Sequence, residues 1–456
     1  MGLSIGIATT MSVMRTGILL LALLNNFHKI LIHNLPTSLE FKLSRLAIPL
    51  GKNSSVQQRL VEYYFIQTSL RLRKNLMKSY VTKDITDINF IIAAIYKALE
   101  GKWHRAETTN LINWCKGDTI EVKIAYLAER IQRSLILEKR KPDEYHVSKV
   151  YDTSTHKIRD IASTSMLSQI YHWIFVLACE DIFMKQFYVH QCASIPNRGG
   201  TYGRKFVKRW METDHKNTKY CLKIDFKKCY QHIKPDIVMD LLKRKIRNKK
   251  VLWLAETILY SYDDGLPIGS VTSQWLCNFV ISYVCHYLKE ELRVKYCIFY
   301  MDDGCIFGKN KKELHRVKRE LDKYCATLGL EIKNNWQVFR LDYIDKKASQ
   351  KAGKPIHRGR FLDFMGYKFY RDHIEIRRAT SLRIRRKYNK ASKKIANHQK
   401  LSFSLCAGCL SYVGTIKYTD SHFFYMKYLK NVNIKILKEV VANESRKQSK
   451  TRISHY

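Results

Sequence analysis

The sequence contains little proline and glycine. Only 7 of its 456 residues are Pro and 19 are Gly, and neither a Pro-rich nor a Ser-rich stretch occurs. This scarcity excludes long flexible tethers between domains, and we find no internal repeat that would indicate a solenoid. A chain of this length can form two or three domains, each with its own hydrophobic core. We therefore expect globular domains that abut one another.

Acidic residues are also scarce. The chain has 40 Asp and Glu against 81 Lys and Arg, which gives a formal net charge of +41. This excess is far beyond what solubility requires, and it supplies sequence-independent affinity for phosphate backbones with a steep salt dependence. Aromatic residues make up 12% of the chain, and tyrosines interleaved among lysines can stack on bases. The composition therefore favours a nucleic-acid-binding protein.

A disulfide scaffold is excluded, because the 12 cysteines are scattered through apolar segments. This distribution is typical of reduced core residues in a cytosolic protein, so we expect a cytoplasmic location. Cys406 and Cys409 have the spacing of zinc ligands and His422 follows them, but no second Cys-x-x-Cys pair accompanies them. The 16 histidines include no adjacent pair and no His-Glu motif that would indicate a metal site.

Long apolar runs are absent except near the start of the sequence. Residues 3–24 are mostly apolar and resemble a signal or membrane anchor, but Arg15 interrupts them and no small-residue cleavage site follows. The remaining apolar stretch is too short to span a bilayer. We expect a buried or interface helix here and no stable membrane association.

The most informative segment contains an adjacent pair of carboxylates, Asp302 and Asp303, within the apolar residues 296–307. The pattern predicts two short strands joined by a tight turn. Like charges in such a poorly solvated site raise each other's pKa, so a cation is expected there. Mg²⁺ prefers this combination of carboxylate, phosphate and water oxygens. Asp263 and Asp264 lie beside Gly265 without flanking apolar strands, which is typical of a simple turn.

A third carboxylate, Asp225, ends a segment in which apolar Leu222 and Ile224 alternate with other residues. This period of two predicts a strand that ends at Asp225, where the chain turns toward a helix. A strand-end Asp facing the carboxylate pair brings three acidic ligands around one point. Two-metal phosphoryl transfer needs this arrangement.

The segments around Asp225 and Asp302 resemble the two catalytic motifs of reverse transcriptases. Further segments resemble the other motifs of that family in the same order, so that the resemblance extends over about residues 150–375. They are residues 157–161, 194–200, 265–274, 329–333 and 364–367. The resemblance implies an α+β right-hand polymerase with fingers, an antiparallel palm sheet with helices, and a helical thumb. It also implies RNA-directed DNA polymerase activity at a primer 3′-end.

Two departures place the sequence among bacterial members of this family. Ile268 stands where many members have Gln, and Ser273-Gln274 stands where many have Ser-Pro. These changes resemble the reverse transcriptases of diversity-generating retroelements and of the defence-associated and prophage or retron-like groups.

The resemblance also implies roles for individual residues. Asp225, Asp302 and Asp303 would hold two Mg²⁺ ions, or Mn²⁺, with help from the backbone carbonyl of Phe226. Tyr230 would exclude a 2′-hydroxyl and so select deoxynucleotides; alternatively, its ring simply packs on the following helix. The other residues implied to bind the nucleotide are Lys157, Arg159, Gly269, Ser273, Gln274 and Lys333. The residues implied to grip the primer are Phe364, Met365, Gly366 and Tyr367.

Three domains are expected. Residues 1–145, with helical patterns at 55–74 and 87–99, form an all-α extension that binds RNA or a partner chain, either an accessory protein or a second copy. Residues 146–370 form the fingers and palm. Residues 371–456 form the thumb, whose basic segment 375–400 is either a nucleic-acid contact, which we favour, or a solvated face. The residues expected to bind nucleic acid are Arg198, Arg204, Arg377, Arg378, Arg383, Arg385, Arg386 and Lys387.

The expected partners are an RNA template, a DNA primer or product, and dNTPs. We favour a polymerase of antiphage defence that works with a dedicated non-coding RNA, because the extension exceeds what a minimal retroelement enzyme needs. A diversity-generating retroelement or a prophage retron-like element is the alternative. A maturase-like RNA-binding scaffold with little synthesis is an alternative of another class. Protein-primed or template-independent synthesis would use the same carboxylates and stays open.

Overall fold

The computed structural model describes residues 82–152, 157–430 and 432–453. All of these residues belong to one compact unit, Leu76–Tyr456. The apolar residues 3–24 and the predicted helix at 55–74 lie outside the described residues. Within the described part of the chain, no helix is both long enough and apolar enough to cross a membrane.

Helices form most of the described structure. They are α1 (Ile88–Leu99), α2 (Ala106–Trp114), α3 (Ile120–Ile136), α4 (Met166–Gln186), α5 (Gly200–Thr213), α6 (Cys229–His232), α7 (Pro235–Lys243), α8 (Lys249–Leu259), α9 (Val271–Glu290), α10 (Lys311–Thr327), α11 (Lys346–Ala352), α12 (Arg378–Ala396), α13 (Phe403–Lys417), α14 (His422–Tyr428) and α15 (Ile434–Ile453).

The strands are β1 (His146–Asp152), β2 (Lys157–Ser163), β3 (Gln191–Cys192), β4 (Tyr220–Asp225), β5 (Tyr296–Tyr300), β6 (Asp303–Gly308), β7 (Gln337–Arg340), β8 (Tyr343–Ile344), β9 (His357–Arg358), β10 (Leu362–Phe364), β11 (Tyr367–Phe369) and β12 (Ile374–Ile376). The central sheet has the order β3-β5-β6-β4-β7. Only β3 pairs in parallel, with β5. β10, β11 and β12 form a second antiparallel sheet, and β1–β2 and β8–β9 are separate two-stranded ribbons.

The central sheet separates two hydrophobic cores. Because successive side chains of a strand point to opposite faces, Leu222 and Ile224 contribute to one core, which is covered by helices including α4, α9 and α10. Cys221, Ile298 and Cys305 contribute to the other core, which α5 and the β10–β12 sheet cover. The result is the α+β architecture that the sequence predicts, with helices on one face and a small sheet on the other.

The predicted helix at 87–99 is confirmed as α1. The Asp87 side chain caps it by accepting a hydrogen bond of 2.7 Å from the Phe90 N–H, which satisfies one of the free donors of the first turn. The apolar side chains of α1 and α3, such as Ile91 and Ile131, pack into the same core as α4 and the sheet. The predicted boundary at residue 145 therefore does not separate two hydrophobic cores.

The C-terminal helices α12 to α15 enclose a third core. Ile384, Tyr388 and Ala391 line the buried face of α12, and the Tyr388 hydroxyl donates a hydrogen bond of 3.0 Å to the Cys409 carbonyl. The predicted basic helix is thus present as α12, although its expected first residues belong to β12. The structure buries Cys406 and Cys409 in this core as free thiols.

Candidate active site

The three predicted catalytic carboxylates meet at one end of the central sheet. Asp225 is the last residue of β4 and lies directly opposite Asp303, the first residue of β6. Residues 301 and 302 form the two-residue turn between Tyr300 and Asp303, which pair across β5 and β6. Met301 has φ +52°, and the carbonyl of Asp302 accepts a hydrogen bond of 3.2 Å from the Phe226 N–H. The predicted strand, hairpin and turn are therefore all present.

The electrostatic cost expected of this arrangement is present as well. Burial raises the pKa of Asp302, and the charge of Asp225 raises it further. Burial raises the pKa of Asp303 to about 6, and the neighbouring Asp225 and Asp302 add to the effect. The Oδ1 atom of Asp303 is buried and has no hydrogen-bond partner. An unpartnered carboxylate oxygen within a cluster of negative charge fits a cation ligand.

Two lysines partly neutralise these carboxylates. The Lys333 Nζ lies 2.7 Å from Asp225 Oδ1, and the Lys223 Nζ lies 3.5 Å from Asp303 Oδ2. The sequence predicts Lys333 as a nucleotide ligand, whereas the structure pairs it with a catalytic carboxylate. The three carboxylates are spread more widely than a His–Asp–His cluster elsewhere in the described residues, whose ligand atoms all lie within 4.8 Å of one another.

Lys223 is a site residue that the sequence reasoning missed. Its ammonium also donates a hydrogen bond of 2.6 Å to the carbonyl of Asp363, next to the predicted primer-grip hairpin. The available signal was the strand period, because Lys223 lies two residues before Asp225 and therefore on the same face of β4.

The predicted triphosphate ligands lie on the β1–β2 ribbon. Lys157 and Arg159 are exposed and lie on one face of β2, two residues apart. The positive charge of Arg159 acts to lower the pKa of Asp302, so Arg159 lies close enough to influence this carboxylate. The ribbon is anchored by the Ala162 N–H, which donates a hydrogen bond of 2.8 Å to the carbonyl of Ile268.

The glycines of the 265–269 loop lie against neighbouring protein backbone. The sequence predicts that they allow a nucleotide to approach the backbone. In the structure, a Cβ at Gly269 (φ +116°) would lie 3.0 Å from the carbonyl oxygen of Ala162, and a Cβ at Gly265 would collide with the carbonyl of Gln231. The glycines therefore admit neighbouring protein backbone, and the contact of Gly269 with a nucleotide stays a prediction.

Helix α9 begins after Ser270, whose side chain makes no capping hydrogen bond. Its hydroxyl bonds instead to His172 Nδ1 at 2.8 Å. Ser273 is buried, at 2% exposure, whereas Gln274 is half-buried. Gln274 is thus the more accessible of the two predicted nucleotide ligands.

The ring of Tyr230 packs against the main core, whereas its selection of deoxynucleotides stays a prediction. The Tyr230 carbonyl accepts a hydrogen bond of 2.8 Å from the Leu266 N–H. Burial raises the pKa of the phenol, and the charges of Cys277 and Asp302 add to this effect. The ring is therefore held by packing and lies near the catalytic carboxylates.

The predicted primer-grip residues form a tight antiparallel hairpin. Phe364 and Tyr367 pair across β10 and β11, and the two turn residues Met365 and Gly366 have φ values of +50° and +88°. Met365 packs against the core beneath the catalytic face of the sheet. The hairpin therefore lies beside the carboxylates, where Lys223 joins them.

The predicted nucleic-acid ligands divide into two groups by position. The first group, Arg198 and Arg204, lies between β3 and β4 and contacts other parts of the protein. Arg198 donates a hydrogen bond of 3.0 Å to the Tyr188 carbonyl. Arg204 is only 9% exposed, with its guanidinium 5.0 Å from the Tyr418 ring. Arg204 is thus largely covered beside Tyr418, and its contact with nucleic acid stays a prediction.

The second group lies on or next to α12. Arg377 forms an ion pair with Asp363, and Lys387 is half-buried with its ammonium 5.6 Å from the Tyr412 ring. The remaining members are exposed to solvent. They are Arg378, Arg383, Arg385 and Arg386.

Comparisons with known proteins identify the family. No curated protein matches the sequence. A solved structure of apo telomerase from Candida Tropicalis, truncated from the C-terminal domain, is similar with 11% sequence identity and a TM-score of 0.34. The alignment covers 54% of this chain and 59% of the telomerase chain, so less than two thirds of that protein is spanned. The family model described as "Reverse transcriptase (RNA-dependent DNA polymerase)" matches residues 139–368. This match spans half of the chain and includes all three carboxylates, and the chain belongs to the reverse transcriptase family.

Proposed function

We propose that this protein is an RNA-directed DNA polymerase that adds deoxynucleotides to a primer 3′-end. The observation that carries the proposal is the placement of Asp225, Asp302 and Asp303 at one end of the sheet. Their charges are incompletely compensated, and one buried Asp303 oxygen has no partner. Such a cluster of like charges is unfavourable unless a cation binds to it, so its presence indicates a cation site.

Asp225, Asp302 and Asp303 would hold two Mg²⁺ ions, or Mn²⁺ in their place, with the Phe226 carbonyl as a further ligand. When bound, such ions activate the attacking hydroxyl and stabilise the pyrophosphate leaving group. The ammonium groups of Lys333 and Lys223 offset part of the negative charge of Asp225 and Asp303.

The surrounding residues would position the substrates. Lys157 and Arg159 on β2 would bind the triphosphate, because a guanidinium can contact two phosphate oxygens at once. The ring of Tyr230 would lie beneath the sugar. The β10–β11 hairpin would hold the primer end beside Asp303, to which Lys223 already links it.

The exposed arginines of α12 would contact the duplex. This helix is fixed by its buried face, which leaves its opposite face free to present positive charge. Its acid-free sequence from residue 377 to 400 favours a phosphate backbone over solvent alone.

Primer extension on an RNA template with labelled dNTPs tests the catalytic assignment. We expect Asp302→Asn and Asp303→Asn to lose at least 100-fold in incorporation, because the loss of one ligand charge disrupts ion binding. Asp263→Asn is the matched control, since this aspartate lies in an exposed bend and should keep full activity. Undiminished incorporation by either catalytic variant would refute the assignment.

We propose antiphage defence with a dedicated non-coding RNA as the biological role. Its support is the resemblance to defence-associated bacterial groups, together with the helical segment that precedes the first polymerase motif. Sequencing of nucleic acid that co-purifies with the protein tests this role. A single recurrent non-coding RNA with complementary DNA would support it, whereas a variable-repeat template would favour a diversity-generating retroelement.

An RNA-binding scaffold with little synthesis is the second candidate. The positive charge of the chain favours it as much as it favours a polymerase. Metal-dependent incorporation separates the two, because a scaffold would retain RNA binding in both the wild type and Asp302→Asn and would incorporate nucleotides in neither.

A further inference from the structure

Two histidines and a carboxylate gather far along the chain from the catalytic carboxylates. They are His357 in β9, and Asp372 and His373 in the turn between β11 and β12. One ligand atom from each lies within 4.8 Å of the others. His373 Nδ1 lies 2.6 Å from Asp372 Oδ1, and His357 Nε2 lies 3.6 Å from Asp372 Oδ2.

His357 also turns its other nitrogen toward an outer carboxylate. His357 Nδ1 lies 3.0 Å from both oxygens of Asp342, which is buried at 2% exposure. His373 has no such partner, because its Nε2 lies 3.8 Å from Glu375 Oε1, beyond hydrogen-bond distance. When a carboxylate accepts the proton of one ring nitrogen, the lone pair of the other nitrogen points the opposite way. In histidine ligands of metal ions, the same outer carboxylate fixes the tautomer and the ring orientation.

Asp342 fixes the orientation of the His357 ring. Asp342 also accepts a hydrogen bond of 2.8 Å from the Arg371 N–H, so its carboxylate is held from two sides. The ring of His373 stacks on Tyr370, with centroids 4.3 Å apart and an angle of 7° between the rings. Both imidazoles are therefore held in place before any ligand arrives.

The local charge is negative in a strongly positive chain. Asp342, Asp372 and Glu375 surround the two imidazoles, while the guanidinium of Arg371 is buried and donates to the Thr218 and Met211 carbonyls, among other acceptors. Lys368 Nζ also lies 3.8 Å from Glu375 Oε2, and the charge of Arg371 acts on Asp342. With neutral imidazoles, three carboxylates against these two cations leave one net negative charge, which favours a cation.

We propose that His357, Asp372 and His373 form a binding site for a divalent transition-metal ion, with Zn²⁺ as the best match. Imidazole nitrogen and carboxylate oxygen form a ligand set that suits zinc, and a three-residue site leaves a fourth position for water. Asp372 is 42% exposed at its side chain, so the ion has a path from solvent. Bound zinc would link β9 to the turn that precedes β12, and so would brace the base of the primer-grip sheet.

Zinc binding to the full-length, untagged protein tests the proposal directly. The protein is stripped with a chelator and titrated with Zn²⁺ in an Asp302→Asn, Asp303→Asn background, which weakens ion binding at the catalytic carboxylates. We expect one tightly bound equivalent in this background and its loss in the added His357→Ala, His373→Ala pair. Cobalt titration should give absorption bands of a low-symmetry site that disappear in the same variant.

Three further variants keep the test decisive. His104→Ala with His398→Ala removes two exposed histidines elsewhere and should leave the bound equivalent intact. Asp372→Asn changes an exposed side chain, so it should fold normally and weaken zinc binding at least tenfold. Asp342 would not contact the ion itself. Asp342→Asn should nevertheless weaken zinc binding about 10- to 100-fold, because Asp342 fixes the orientation of the His357 ring. Absence of a stoichiometric equivalent, or equal binding by Asp372→Asn, would overturn the proposal.

Discussion

A single ammonium group joins one of the three clustered carboxylates to the β10–β11 hairpin. Lys223 reaches Asp303 on β6 and the Asp363 carbonyl beside β10, and its charge opposes the rise in the pKa of Asp303. The lysine therefore acts as a positioning residue, which holds two elements in register and keeps one carboxylate ionised.

Replacement of Lys223 by Met should impair primer extension most strongly at low pH. Without the ammonium, the pKa of Asp303 rises further above about 6, so the carboxylate is protonated over a wider range. We expect a loss of about tenfold at pH 6.5 that narrows toward pH 8.5, together with a raised KM for the primer terminus. Lys227→Met, which removes only the exposed pair with Glu331, is the control. A pH profile like that of the wild type would contradict the role of Lys223.

Asp303→Asn should stabilise the metal-free protein while abolishing synthesis. The folded-state pKa of about 6 lies above the ordinary value of 3.8, so folding favours the protonated form. The stability that this group contributes is complete below about pH 4 and is lost as the pH rises through 6. We therefore expect the variant to be more stable than the wild type by roughly 1–3 kcal/mol at pH 8, with no difference near pH 4.

Urea unfolding in the presence of a chelator at both pH values measures this effect. Asp263→Asn serves as the comparison, because its exposed side chain should change stability little at either pH. A destabilised Asp303→Asn protein at pH 8 would show that the carboxylate is already compensated by its neighbours.

At the scale of elements, α12 separates its buried and basic faces cleanly. Ile384, Tyr388 and Ala391 face the C-terminal core, and Arg383 and Arg386 are exposed. Helix α10 also carries exposed arginines, but it packs against the other face of the central sheet. The two helices thus allow a comparison at equal charge.

Arg383→Gln with Arg386→Gln should weaken duplex binding and its salt dependence. Each lost phosphate contact lowers the slope of log K against log salt by about 1, so we expect a decrease of about 2 for the pair. Arg316→Gln with Arg319→Gln on α10 removes the same charge and should change the slope little. Equal slopes for both pairs would show that α12 acts only through net charge.

Local patterns in the sequence were enough to predict β4, the β5–β6 hairpin, α1 and α12, because each depends on the period of its own residues. The contacts of Gly269 with Ala162 and of Lys223 with Asp363 were not predictable, since they join segments far apart in sequence. The same limit applies to the burial of Arg204. The sequence of α5 does not show that Tyr418, far along the chain, lies against its guanidinium.

At the scale of the whole molecule, the helices before the polymerase motifs are part of its main core. A chain that begins at residue 146 would expose the apolar face of α4, against which α1 packs, and would lose buried side chains such as Ile91, Ile95 and Leu127. We expect this truncation to be insoluble or to unfold at a much lower temperature, as measured by circular dichroism. A truncated protein with the thermal midpoint of the full chain would contradict this view.

The family motifs predicted the three carboxylates that meet at the end of the central sheet, whereas no motif predicted the His–Asp–His cluster. No local spacing links His357 to His373, so the sequence indicates no metal site there. His357 lies in the β8–β9 ribbon and His373 in the turn between β11 and β12, so only the packing of the ribbon against that sheet brings them together. A short sequence pattern does not encode such long-range geometry.

Arg371 determines where the C-terminal helices can move. It stands at the expected palm–thumb boundary, yet it is buried and donates hydrogen bonds to Met211, Thr218 and Asp342. A residue tied to three separate segments cannot absorb the changes in backbone angle that a hinge needs. Any swing of the helical bundle over a bound duplex would therefore pivot beyond β12 and past Arg377, which is itself paired with Asp363. The primer-grip sheet would stay with the palm during such a swing, and the primer end would keep its place while the grip on the duplex opens.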